Sequence, residues 1–136
     1  MRMITYTDGG ARGNPGPAAI GVVVKNGTTG ENISGFGRYI GHTTNNQAEY
    51  QALVAALEEA IKHGATEVSC FLDSELIVKQ MNREYRVRDI GLQTHFMKVW
   101  NMATTLKKVT FTHIPRAKNK EADAFVNQAL DAQRLR

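Results

Sequence analysis

The hydrophobic pattern of this chain changes period near residue 44, and that change limits the folds open to it. Before it, residues 2–8 alternate and read as a strand, 20–25 as a second, β-branched strand, and 31–40 as a third. Gly9 to Pro17 reads as a loop rich in Gly and Pro, and Asn26-Gly27 is a tight-turn signal. The three strands are expected to form an antiparallel meander. After the change, Tyr50, Leu53, Val54, Leu57, Ala60 and Ile61 recur at helical spacing between Glu49 and His63, and Gly64 stops the helix. A strand follows at 67–72, then a short helix at 74–82, an amphipathic helix at 91–106 and a strand at 109–114 that Pro115 ends. The last helix runs from about Asn119. The order β-β-β-α-β-α-α-β-α predicts an α/β protein: one mixed, five-stranded sheet with helices packed against its faces.

A length of 136 residues, with 42% apolar and 22% charged residues, suits a single domain, 1–136, that buries a core without disulfide or metal staples. The one cysteine, Cys70, falls in a predicted strand, so no disulfide framework exists within the chain. A reducing, cytoplasmic setting is the simplest expectation. The longest apolar run, Ala18 to Val24, is too short for a membrane span, and we expect neither a signal peptide nor a membrane partner. Net charge is +4 and uneven: residues 1–68 carry five Lys/Arg against six Asp/Glu, and residues 69–136 carry twelve against seven. That asymmetry fits a polyanionic partner, although a mildly basic solvated surface explains it nearly as well.

Four carboxylates stand at or near element ends: Asp8 after the first strand, Glu49 where the long helix begins, Asp73 after the fourth strand, and Asp123 one turn into the last helix. Taken singly, each has an ordinary structural reading. Asp before Gly-Gly is turn chemistry, Asp73-Ser74 is a helix N-cap, and acids near helix N-termini favour the helix dipole. Jointly they suggest more. Ile4, Tyr6 and Asp8 share one strand face, Phe71 and Asp73 share another, and Glu49 and Asp123 border the apolar stripes of their helices. If the two strands are neighbours, the acids converge. Convergent hard oxygen ligands hold Mg²⁺ or Mn²⁺, and two such ions can activate water and stabilise a leaving oxygen in phosphate-ester hydrolysis.

The residues flanking these acids resemble the type 1 ribonuclease H family. The matching stretches are Tyr6-Thr7-Asp8-Gly9-Gly10 with Gly13-Asn14-Pro15-Gly16-Pro17, Thr43-Thr44-Asn45-Asn46-Gln47-Ala48-Glu49-Tyr50, Leu72-Asp73-Ser74, and His113-Ile114-Pro115-Arg116 through Asn119-Lys120-Glu121-Ala122-Asp123. They span essentially the whole chain in the family's order. The resemblance implies a ribonuclease H-like fold with three antiparallel strands followed by two parallel ones, and helices on both faces. It implies metal-dependent endonucleolytic cleavage of the RNA strand of RNA–DNA hybrids, leaving 5′-phosphate and 3′-hydroxyl ends. Asp8, Glu49, Asp73 and Asp123 match its metal-binding acids, with Asp8 bridging two ions. Glu49 and Asp73 would hold the ion on the leaving-group side, with Glu49 also placed to contact a 2′-hydroxyl, and Asp123 would help position the ion that activates water. Asn14, Asn45 and Asn46 match substrate-contacting asparagines, and Thr44 a threonine of a DNA-phosphate pocket. A cytoplasmic monomer acting on RNA–DNA hybrid is the resulting expectation.

The sequence departs from the family in three places. Many members insert a basic, tryptophan-rich protrusion where this chain has only the short segment 83–106, with Trp100 its sole tryptophan; Arg83, Arg86, Arg88 and Lys98 would substitute in part, with a weaker grip. The family's mobile histidine has two candidates here, His113 by spacing and Arg116 by its place in the loop. Glu75 stands where a hydrogen-bonding glutamine is often found. Other signals fail on spacing. Gly10, Gly13 and Gly16 do not make a phosphate loop, and the four histidines and one cysteine have no zinc-ligand spacing. Met81, Met97 and Met102 read as core fillers. Two competing functions stay open: a non-catalytic nucleic-acid-binding module on the same fold, and a nuclease or recombinase acting on DNA alone. The intact set of four acids argues against the first, and the asparagine set against the second.

Overall fold

The structure, a computed structural model, describes residues 1–134. Its elements run β1 (Arg2–Ala11), β2 (Gly16–Asn26), β3 (Asn32–Thr43), α1 (Asn45–Lys62), β4 (Glu67–Leu72), α2 (Glu75–Met81), α3 (Ile90–Thr104), β5 (Lys108–His113), a 3₁₀ turn (Arg116–Lys118) and α4 (Lys120–Arg134). The sheet order is β3-β2-β1-β4-β5. The meander β1–β2–β3 is antiparallel, while β4 lies parallel to both β1 and β5. The expected order and the three-plus-two sheet are therefore both present.

Glycines show how close the two helical layers lie. A Cβ on Gly9 would sit 2.3 Å from the Ala48 carbonyl carbon of α1, and one on Gly21 would sit 2.0 Å from the Ala122 carbonyl oxygen of α4. Asp8 pairs with Gly21, and Gly9 is the next residue along β1, so alternation turns them to opposite faces. Hence α1 covers one face of the sheet and α4 the other. Val22, Val23 and Val24 are all buried for the same reason: β2 is covered on both sides and has no solvent face to fill with polar residues.

Three boundaries differ from the sequence reading. Gly9 to Ala11 and Gly16 to Ala19 are strand, paired from Gly9↔Ile20 to Ala11↔Ala18, and only residues 12–15 form the loop. Their glycine content reflects the close approach of helices as well as turning. The long helix starts at Asn45, because the Thr44 hydroxyl accepts from the Gln47 N–H at 3.2 Å; Glu49 lies one turn inside it. The β2–β3 connection spans residues 27–31, where the Asn26 side chain accepts from the N–H groups of Thr28 and Thr29 and Gly30 takes φ +77°.

Candidate active site

The parallel pair β1–β4 opens a gap at its carboxyl end. The last paired residues are Thr7 and Leu72; the next residue on each chain is Asp8 and Asp73. There β4 breaks off towards α2, with Ser74 as its N-cap, while β1 continues alongside β2. The two aspartates therefore meet where the sheet divides, a placement typical of ligand sites at the carboxyl ends of parallel strands. Stacking of Tyr6 on Phe71, with ring centroids 5.4 Å apart, holds the two strands together two residues earlier on the same face.

Glu49 reaches this gap from α1, one helical turn past Thr44. One carboxylate oxygen from each of Asp8, Glu49 and Asp73 lies within 4.8 Å of the others. Asp123 comes from α4 on the opposite face and stands beside Asp8, outside that tight trio. All four line one cleft of about 440 Å³, with Asn45, Asn46, Arg12 and Arg116 around it. The four predicted acids are thus brought together, three closely and one at the side.

Their electrostatics are strained. Burial first, then the charge of Asp73 and the contact with Asp123, pushes the Asp8 carboxyl up to about 8. Burial raises Glu49 to about 7, against the opposing effects of the Ser74 hydroxyl and the Arg116 guanidinium. Carboxyls crowded in this way retain protons near neutrality unless cations compensate. A set of hard oxygen donors at this separation, short of positive charge, fits divalent cations such as Mg²⁺ or Mn²⁺.

The other predicted residues divide by position. Asn45 and Asn14 build the rim: the Asn45 side-chain oxygen accepts from the Ala11 N–H at 2.8 Å, and the Asn14 side-chain oxygen accepts from the Asn45 N–H at 3.0 Å. Each uses its carbonyl to fix the rim and keeps its NH₂ available. Asn46 is exposed and lines the cleft; Thr44 caps α1. Arg116 is 82% exposed and lies 3.8 Å from Asp123, inside the cleft. His113 is exposed at the end of β5 and is absent from the cleft lining.

Asn119, which the sequence offers as a helix start and as part of a family-matching stretch without a role of its own, has one in the structure. Its side chain is buried, with 1% exposure, and its amide NH₂ donates to the Thr7 carbonyl at 2.7 Å and to Asp73 at 3.2 Å. It ties β1, at the point where its pairing with β4 ends, to an acid of the trio from the start of α4. A sequence signal for this use is missing, because an asparagine before a helix reads as a cap whichever way it points.

A family model described as reverse transcriptase-like matches residues 6–129. The chain is 42% identical to RNase H1 of the halophilic archaeon Halobacterium salinarum NRC-1 and aligns with its crystal structure at a TM-score of 0.94, covering 97% of this chain and 99% of that one. LC11-RNase H1, isolated from compost and solved in complex with an RNA/DNA hybrid, is 46% identical at a TM-score of 0.91, with 96% and 98% covered. A bifunctional protein of Mycobacterium tuberculosis is 38% identical over 132 residues, which are 97% of this chain and 36% of that protein. The chain belongs to the reverse transcriptase-like family and, within it, to the type 1 ribonucleases H. It spans only part of the full-length relatives, 65% in the case of the Halobacterium ribonuclease HI.

Proposed function

We propose that this domain hydrolyses the RNA strand of RNA–DNA hybrids endonucleolytically, leaving 5′-phosphate and 3′-hydroxyl ends. The observation that carries the reading is the carboxylate trio at the division of β1 from β4, in a chain whose relative LC11-RNase H1 was solved on an RNA/DNA hybrid. Asp8, Glu49, Asp73 and Asp123 are the residues that would hold two Mg²⁺ or Mn²⁺ ions. Such ions, when bound, activate the attacking water and stabilise the leaving oxygen.

The chain's own residues do the rest. Asp8, central in the set, is held above the ordinary carboxylate range by burial and by the neighbouring acids, so loading releases its proton and strengthens as pH rises. Asn119 fixes the orientation of Asp73 through its amide. Asn14 and Asn45, whose side-chain oxygens are engaged at the rim, would donate from their NH₂ groups to sugar hydroxyls and base edges without adding charge. Asn46 offers the same chemistry from the first turn of α1, and Thr44 serves a phosphate of the DNA strand. Recognition of the 2′-hydroxyl selects the RNA strand. Arg116 is the better placed of the two candidate helpers, since its guanidinium already stands at the cleft beside Asp123 and can neutralise a product phosphate; His113 would have to move.

The domain acts, on this reading, as a cytoplasmic monomer. The buried thiol of Cys70 fits a reducing compartment, and among the described residues no helix is long and apolar enough to cross a membrane. Substrate profiling tests the proposal: end-labelled hybrid, duplex RNA and duplex DNA are incubated with Mg²⁺ or Mn²⁺. Cutting of the hybrid's RNA strand with 5′-phosphate products, and intact duplex DNA, is expected. Binding of hybrid without cutting under either ion would leave a binding module instead.

A further inference from the structure

One side of α4 carries Asp123, Asn127 and Asp131 at every fourth residue. Each of the two aspartates has an arginine from a neighbouring loop beside it. Arg116 lies 3.8 Å from Asp123, and Arg12 lies 2.7 Å from Asp131. These arginines are also the two basic residues that line the acidic cleft. Just over two turns of helix separate the aspartates, about 12 Å along the axis. Arg116 therefore serves the part of the cleft beside Asp8, and Arg12 a part farther along α4.

The loop that bears Arg12 keeps its shape without the guanidinium. The Arg12 N–H donates to the Pro17 carbonyl at 2.8 Å, and a Cβ on Gly16 would sit 2.1 Å from the Arg12 carbonyl oxygen. On either side, Ala11 and Asn14 are bonded to Asn45. The backbone is thus fixed by other contacts, and the side chain alone is free to swing. Its partner holds it lightly: Arg12 and Asp131 are 39% and 58% exposed, and ion pairs in that setting exchange readily. A guanidinium fork fits a phosphate as well as it fits a carboxylate.

We propose that Arg12 binds a backbone phosphate of the RNA strand away from the scissile one, leaving Asp131 to do so, and that Asp131 thereby limits how tightly substrate is held. The proposal rests on the ribonuclease H reading, which puts the cut phosphate at the carboxylate trio. Arg12 lines the same cleft as the trio, so the strand it meets is the strand being cut. Its distance along α4 from Asp123 gives it a different phosphate. In the empty protein Asp131 keeps the guanidinium extended, and when product leaves it takes the guanidinium back. A positioned cation also offsets the repulsion that four clustered acids exert on an incoming polyanion.

The test is steady-state cleavage of an end-labelled hybrid with Mg²⁺ at several salt concentrations, by the wild type, Arg12→Gln, Asp131→Asn and the double variant. Arg12→Gln should raise KM about fivefold and lower kcat by less than about twofold. It should also reduce the slope of log(kcat/KM) against log salt by about one, the mark of one lost phosphate contact. Asp131→Asn should instead lower KM about twofold, and the double variant should match Arg12→Gln. A pair that merely braces the loop gives the opposite sign for Asp131→Asn, with both single variants melting lower. That result would overturn the proposal. So would a gain from Asp131→Asn that persists without Arg12, which marks general repulsion only. Uncharged methylphosphonate linkages placed singly identify the strand: the wild type should be weakened at one RNA-strand position to which Arg12→Gln is indifferent. A matching position found in the DNA strand alone would overturn the assignment. If the hybrid is cut and the variants behave otherwise, only the Arg12 assignment falls; if it is not cut, the activity itself fails.

Discussion

Helices α1 and α3 have similar lengths, 18 and 15 residues, yet α1 buries eight residues and α3 only Leu92 and Val99. The difference follows from what each packs on. α1 lies on the sheet, where Gly9 lets it approach at backbone distance, and α3 packs on α1, joined to it by a 2.6 Å contact between Gln47 and His95 and by stacking of Tyr50 with His95. α1 therefore acts as a rigid mount for Glu49 and the asparagine rim. α3 leaves Ile90, Met97 and Trp100 at the surface and so presents a face instead of a framework. The tightly packed helix thus carries Glu49 of the acidic trio, and the loosely packed one carries exposed apolar side chains.

Substitutions can break or sharpen this contrast. The largest effect is expected for Gly9→Ala, whose Cβ would collide with the α1 backbone and push Glu49 away. We expect a stability loss of about 3 kcal/mol or more by denaturant unfolding, together with loss of cleavage. Asn119→Ala should cost about 2 kcal/mol, since the buried Thr7 carbonyl loses its donor, and should weaken divalent-ion binding measured by calorimetry as Asp73 is freed. If ion affinity were unchanged, Asn119 would have a structural role only.

A pH series probes the same mount. Asp8 and Glu49 have folded-state values raised above their ordinary ones, so the native state binds more protons than the unfolded state between about pH 4 and 8. Metal-free stability should accordingly fall as pH rises through that window, and Mg²⁺ or Mn²⁺ should flatten the decline; thermal melts at several pH values decide it. The smallest effect belongs to α3. Ile90→Ser, at a side chain 80% exposed, should change stability by no more than about 0.5 kcal/mol.

Much of this contrast is legible in the sequence. The helical spacing of Tyr50, Leu53, Leu57 and Ala60 gives α1 its buried stripe, although Val54 is only partly buried and Ile61, expected in the same stripe, is 37% exposed at the helix end. The alternation in residues 2–8 places Asp8 on the face of Tyr6. What escaped is what depends on neighbours distant in sequence. Gly9 looks like a turn residue and Gly21 like an ordinary strand position, because local reading has no view of the helix backbones against them. Asn119 lies 46 residues from Asp73 and 112 from Thr7, so its two bonds leave no local pattern. The tight trio and the lateral position of Asp123 likewise depend on where β4 leaves β1, a point set by sheet pairing.

If the acids at that division hold the catalytic metal ions, cleavage of an end-labelled RNA–DNA hybrid must depend on both the ions and Asp8, which a Mg²⁺ and Mn²⁺ titration of the wild type and Asp8→Asn measures. Ion-dependent cutting by the wild type is expected, with a loss on the order of a thousandfold in a folded Asp8→Asn variant. Cutting that persists in the variant, or that needs no divalent ion, would contradict the metal-site assignment.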